Sequence, residues 1–358
     1  MFRKPIVIGL LGCLLAFAAI PAGAAQTDYA VGSVGGNELG LALGARPAGM
    51  GEAFMSLSND VNTTAWNPAG LALIKGTHLG FMHNIYIQET SLEYLAYAQS
   101  IAPSAGLGAY LAYLNYGKLD KTDDSGQVTG QFSPFAFILG LGYGQRLMEN
   151  MTAGVTLKLL QENIDGGGYT AAALDLGALY RTGLEGLQLG LSVKNLGTRL
   201  AGFSLPLAVK AGAAYMVPVT GPGDDWRVLL EASVPTNDSR YTAIHLGTEY
   251  WFQRVVAARL GYKVKDAGDQ GGASGIAAGL GAKIAILNLD YALVSYGSLG
   301  FTHQIALSAH FGGRPVRRKR PSASASNEAA PAPALESAPM PDPAPDAKPP
   351  ARMKKRRN

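Results

Sequence analysis

Apolar residues recur at every second position through most of this chain. In Ala153–Leu159 the odd positions are apolar and the even ones mostly small or polar. Leu187, Leu189, Leu191 and Val193 alternate with Gln188, Gly190, Ser192 and Lys194. Val228, Leu230, Ala232 and Val234 alternate with Arg227, Leu229, Glu231 and Ser233. Leu287, Leu289, Tyr291 and Leu293 alternate with Asn288, Asp290 and Ala292. Successive side chains of an extended chain point to opposite sides, so period two means strands with one apolar face. The pattern predicts about fourteen strands, near 77–84, 90–101, 105–116, 134–146, 152–162, 170–181, 186–196, 206–218, 226–235, 241–252, 255–264, 274–284, 286–296 and 301–311. Their typical length of about ten residues is what a tilted membrane strand needs, and the number is even, as in single-chain bacterial barrels.

The connections support that reading. Those at 102–104, at 252–254 and near Ala285 are short, while 117–133, 163–168 and 265–273 are longer and polar. Short periplasmic turns and long external loops give this rhythm; Pro218–Asp225 breaks it. Tyr215, Trp226, Tyr241, Tyr250, Trp251 and Tyr291 lie near strand ends, where interfacial girdles sit. The last strand ends on Phe311, a terminal aromatic typical of barrels handled by the barrel-insertion machinery, which is thereby an expected partner.

Composition argues against the main competitor, a soluble β-sandwich or barrel. Charged residues make up 16% of the chain, glycines number 46 and mean hydropathy is +0.09, whereas soluble domains carry about a quarter charged residues. A soluble sandwich would need a charged outer face. Here the non-apolar positions are mostly Gly, Ala, Ser and Thr, which suit a crowded lumen, and closure removes the strand edges that lipid cannot satisfy.

The first 25 residues read as a signal peptide: Arg3 and Lys4, an apolar run from Ile6 to Ile20, then Ala22-Gly23-Ala24. The single cysteine, Cys13, lies inside it, so neither disulfides nor thiol chemistry is expected downstream. The net charge of +4 belongs to the ends of the chain. Residues 314–358 carry eleven Lys/Arg against four Asp/Glu, which with the leader leaves 26–313 at −5.

A compact segment, expected to be a hatch, precedes the first strand. Met50, Phe54 and Leu57 suggest one face of a short helix stopped by Asn59-Asp60, and Asn67-Pro68-Ala69-Gly70 is strong turn chemistry. Gly44-Ala45-Arg46, Gly49-Met50-Gly51, Ala53-Phe54, Asn59-Asp60 and Trp66-Asn67-Pro68-Ala69-Gly70 resemble the N-terminal signature of the PorV/PorQ family, itself related to FadL-type transporters of hydrophobic compounds. The resemblance implies a fourteen-stranded barrel with this segment in its lumen. Its motif residues are Arg46, Met50, Gly51, Phe54, Asp60, Trp66, Asn67 and Pro68. It also implies service either in protein secretion or in passage of small hydrophobic molecules.

Nine charged residues fall on the predicted inward face: Lys158, Lys194, Lys210, Arg227, Glu231, Glu249, Arg259, Lys263 and Asp290. Charge is costly against lipid and tolerable in a lumen. They form either a polar conduit or, as the more economical reading, a cross-strand network that fills and stiffens a closed lumen. The five histidines, His78, His83, His245, His303 and His310, show no metal-ligand spacing. No cofactor, metal or catalytic set is expected: the acidic run at 120–124 and Asp165 with its three following glycines match no EF-hand pattern and read as solvated turns, not calcium loops.

The expected organisation is a signal peptide at 1–25, a hatch at 26–75, an all-β transmembrane antiparallel barrel at 76–313, and a disordered Pro/Ala-rich basic tail at 314–358. The tail would sit in the periplasm of a Gram-negative cell, with Lys354, Lys355, Arg356 and Arg357 available to dock on an anionic partner. Nucleic acid is not expected as a partner there. The expected function is a non-enzymatic outer-membrane scaffold in contact with lipid and serving secretion-system or surface proteins. The alternative is a FadL-like channel for a small hydrophobic ligand.

Overall fold

The computed structural model describes residues 34–219, 221–236, 242–265 and 274–312. The chain divides into a unit spanning Met1–Arg314 and a second spanning Pro315–Asn358. The second lies wholly outside the described residues, as does the leader, so the expectations for residues 1–25, Lys354, Lys355, Arg356 and Arg357 fall outside them too.

Among the described residues there are eighteen strands, and fourteen of them close into one antiparallel barrel. In chain order the strands are β1 (Thr77–Ile85), β2 (Ser91–Ala102), β3 (Ala105–Asn115), β4 (Leu119–Thr122), β5 (Val128–Phe132), β6 (Phe135–Met148), β7 (Met151–Ile164), β8 (Gly167–Arg181) and β9 (Leu187–Gly197). They continue as β10 (Arg199–Leu200), β11 (Phe203–Ser204), β12 (Ala208–Val217), β13 (Asp225–Pro235), β14 (Ala243–Phe252), β15 (Val256–Lys265), β16 (Ile276–Ile284), β17 (Leu287–Ser295) and β18 (Phe301–Phe311). β4–β5 and β10–β11 are separate two-stranded hairpins, and β18 pairs with β1 from Thr77↔Phe311 to Ile85↔His303 to complete the ring. The closed fourteen-stranded barrel is the fold that the alternation predicts.

Alternation places the faces as expected. In β7, Thr156, Lys158 and Leu160 are buried while Leu157 and Leu159 are exposed. Around the barrel the outward positions are large and apolar, among them Leu79, Leu95, Leu141, Leu191, Leu246, Leu260, Leu280 and Ile305. A band of this kind suits hydrocarbon. The fourteen wall pairings leave three register shifts: two at short turns (Ser100/Ala102 and Arg146/Met148) and one within the wall, at Leu174/Leu176 between β8 and β9.

Three expectations need correction. The connection at 163–168 is not a long loop: Ile164 pairs with Gly167, and Asp165 and Gly166 make a two-residue turn with positive φ at both. The helix expected around Met50–Leu57 lies earlier, at Ala45–Gly49. Gly51 and Glu52 both adopt left-handed φ (62° and 67°), which breaks the helix, and 50–57 runs on as irregular turns. Trp251 is not a girdle residue, because the Arg259 guanidinium stacks on its ring at 5.5 Å and it lines a cavity of the lumen.

Candidate functional site

The chain from Val34 to Ile74 occupies the barrel interior. It starts at the long-loop end, where Val34 bridges Ser204 and Gly35 N donates to Ser204 O at 3.1 Å. It finishes at the short-turn end, where β1 begins. The segment therefore runs the height of the lumen.

Glycine makes room for it. A Cβ on Gly261 would collide with the backbone of Met50 and Gly51, one on Gly154 with Pro68, and one on Gly177 with the Asn67 carboxamide. At Gly279 the backbones of hatch and wall pass at close range, with Gly49 Cα 3.2 Å from where a Cβ would stand. Only residues without a side chain permit such approach. Part of the chain's large glycine count thus forms an inner ring that receives the hatch.

Hydrogen bonds then tie the hatch to one side of the wall. Arg46 grips Glu249 bidentately, with Nε to Oε2 and Nη2 to Oε1 both at 2.7 Å, while Nη1 reaches Asp60 (2.8 Å) and Asn59 (2.9 Å). Arg259 Nε and Arg227 Nη1 close on the same carboxylate at 2.8 and 3.0 Å. Arg259 continues to Asp290 at 2.7 Å, and Arg227 to Asp225 at 2.7 Å. Glu231 accepts Ser56 N at 2.7 Å and Met55 N at 3.1 Å. The His245 ring pairs through Nδ1 with Gly51 O at 2.8 Å, so that nitrogen carries the proton. Lys263 holds Glu52 at 2.6 Å. Burial alone would raise the Glu52 carboxyl, but Lys263, with His245 and Lys210 beside it, outweighs this and holds it down at about 2. Lys210 stands over the Trp66 ring at 5.3 Å.

The remaining motif residues are structural keystones. Trp66 Nε1 donates to Leu43 O at 2.7 Å, and its ring meets Phe54 edge-on. Met50, Phe54, Leu57 and Trp66 form one buried cluster with Ala214 and Leu229 of the wall. Asn67 is fully buried: its Oδ1 accepts Ala69 N and opens the 3-10 turn Pro68–Leu73, while Nδ2 donates to Met55 O and Ala178 O, each at 3.2 Å.

Sequence reading missed Asp175. It sits at the wall bulge between β8 and β9, fully buried, between Lys158 (2.6 Å) and Lys194 (2.5 Å), and it accepts Asn195 N at 2.8 Å. Its place between Leu174 and Leu176 was the available signal. Glu52 and Glu38, which bind Lys263 and Tyr116, escaped notice because irregular chain carries no periodicity.

The opposite side of the lumen holds no such network. The inward residues of β1–β3 include Met82, Leu92, Tyr94, Ala96, Tyr110, Ala112 and Leu114, with Ile138 and Leu160 continuing from β6 and β7. None of the inward positions of β1, β2 or β3 is Lys, Arg, Asp or Glu. Leu200 and Leu205 cover this face at the long-loop end, and Val61, Leu71 and Ile74 meet it at the other. Leu39, Leu41 and Leu43 lie against it.

The arrangement resembles known channels in fold. A monoaromatic hydrocarbon channel, the TodX deltaS2S3 mutant, superposes with a TM-score of 0.53 at 13% identity, over 75% of this chain and 99% of that one. The toluene transporter TodX from Pseudomonas putida gives 0.50 at 12% identity, over 75% and 96%. At such identity the likeness shows the fold alone. No curated protein matches the sequence. A family model does match, over residues 14–199, which is more than half the chain, so the protein belongs to the uncharacterised protein family UPF0164.

Proposed function

We propose that this barrel lies in the outer membrane of a Gram-negative cell and passes small hydrophobic molecules across it. The observation that carries this reading is the one-sided lumen. A continuous apolar face runs from Leu200 and Leu205 to the hatch, and among the described residues no lumen ion pair involves β1, β2, β3 or β6, the nearest being Lys158–Asp175 at the β7–β8 border of the face. Ligand sites of this kind are mostly apolar with few polar groups. The face is presently covered by Leu39, Leu41 and Leu43, so a hydrophobic ligand takes their place. The break in register at Leu174/Leu176 is the point where the wall is least regular, next to Leu160 and Ala173 of the same face. The hydrocarbon channels that share the fold support the same class of ligand.

The test is uptake of radiolabelled toluene by cells carrying the wild-type barrel, the Ile138→Glu variant or an empty vector. Barrel levels are matched by the heat-modifiable band on a gel. Wild-type cells are expected to take up the label faster than vector cells, and Ile138→Glu, which places a charge on the apolar face, to lose that advantage. Equal uptake by wild type and vector defeats the reading.

A second reading, a PorV/PorQ-type scaffold for secretion-system or surface proteins, draws support from the β4–β5 hairpin. It projects from the β3–β6 connection with both edges unpaired and Leu119 and Val128 exposed. In-cell crosslinking that yields defined protein partners, lost when residues 118–133 are shortened, would favour it. Phe311, exposed at the end of β18, remains the proposed contact for the insertion machinery.

A further inference from the structure

A cavity of about 340 Å³ opens between the hatch and the wall at the short-turn end of the barrel. It borders the apolar face described above, with which it shares Val61, Met82 and Tyr94, and its other end is polar. Its lining includes Arg254 from the β14–β15 turn, Lys283 from the end of β16, and Asp225, Asn288 and His310 from the wall.

The charges there are unequally used. Asp60 is paired with Arg46, Asp225 with Arg227, and Asp290 with Arg259. Arg254 and Lys283 make no ion pair and no side-chain hydrogen bond among the described residues. Two free cations thus stand on neighbouring turns at one cavity. Buried polar atoms also remain without partners: Asn288 Oδ1 and Asp225 Oδ1 both lack a donor. A buried acceptor left unmatched is costly, which makes it a recognition element for a ligand that brings an N–H or O–H.

The geometry points to a binding site for a small organic anion that also carries amino or hydroxyl groups. Its carboxylate or phosphate meets Arg254 and Lys283, and its donors face Asn288 and Asp225. These groups lie at the polar end of the cavity, away from Val61, Met82 and Tyr94, and the proposal stands whether or not hydrocarbons pass.

The test is isothermal titration of the full-length barrel in detergent with sodium glutamate and, separately, with inorganic phosphate. Glutamate is expected to bind saturably and more tightly than phosphate, which offers only the anionic half. Arg254→Gln/Lys283→Gln should weaken glutamate by about tenfold or more, because a hydrogen bond to a charged group is worth about 1.5–3 kcal/mol. Both positions are exposed, and the neighbouring Gln253 already adopts a positive φ of 48°, so the variant keeps the turn. The heat-modifiable band confirms that it folds. No saturable heat with the wild type, or unchanged affinity in the double variant, overturns the proposal. Equal affinity for glutamate and phosphate overturns the part assigned to Asn288 and Asp225.

Discussion

The two sides of the lumen hold the same hatch by different physics. On the β13–β15 side the contact is ionic and specific: Glu231, Glu249, Arg259 and Lys263 each have a named partner, several of them in the hatch. On the β1–β3 side the contact is apolar and unspecific in direction, with Leu43, Val61 and Leu71 against Met82, Tyr94 and Tyr110. Buried ion pairs gain little over well-packed hydrocarbon, but removing one partner is severe because the other charge is left uncompensated. Apolar contacts lose in proportion to area and yield to any molecule of similar shape and polarity. One side therefore fixes the hatch, and the other is suited to exchange one apolar occupant for another.

The sharpest way to break that contrast is Glu249→Ala. It strips the common acceptor from Arg46, Arg227 and Arg259, of which Arg259 is fully buried. The expected cost is about 3–5 kcal/mol, typical of a broken buried pair. It should be visible as earlier urea unfolding of refolded barrel. An apolar truncation on the other side, Leu114→Ala, serves as the comparison and should cost less. If the two variants unfold together, the ionic side does not dominate.

Next in size is Gly261→Ala. The added methyl would stand about 2 Å from Gly51 N and Met50 C, so the hatch backbone has to move away from β15. Overpacking of this kind costs roughly 1–3 kcal/mol. The expected result is a folded barrel whose hatch has shifted, read as altered Trp66 emission and faster proteolysis between residues 44 and 76. Unchanged emission and protection would mean that the glycine ring is not a tight seat.

How far the sequence reveals this molecule depends on which physics wrote each part. Strand alternation is local, so Leu157/Lys158/Leu159 announces its faces from three residues, and all nine inward charges lie in the lumen or line it. Barrel closure follows from the even strand number and the need to pair every edge. The hatch is different. Its conformation is imposed by the wall around it, with glycines at 51, 154, 177 and 261 chosen for a distant neighbour, and no window of a few residues shows that. The helix expected across Met50 and Phe54 fails for this reason: Gly51 and Glu52 turn left-handed where the chain must pass β15. Nor does the pattern show that the lumen charges spread from β7 round to β17 and leave β1–β3 bare. That emerges once β1–β3 and β13–β15 are known to stand at separate parts of the ring.

The smallest expected effect concerns pH and belongs to Glu52. Its carboxyl, buried against Lys263, ionises at about 2 in the folded barrel, against 4.5 for an unperturbed glutamate. Folding therefore favours the ionised form. The stability this contributes is fully present above about pH 4.5 and drains away as pH falls towards 2. Between about pH 7 and pH 4 the loss is only roughly 1 kcal/mol, since the unfolded carboxyl begins to take up its proton only near pH 4.5. Glu52→Gln removes the contribution at neutral pH and leaves Lys263 without its carboxylate. The variant should thus be less stable than wild type at pH 7, and the gap between them should narrow on acidification. Urea unfolding of both proteins at several pH values measures that gap. A gap that stays constant down to pH 3 would show that Lys263 holds Glu52 by shape alone, and that the charged side of the lumen fixes the hatch no more specifically than the apolar side does.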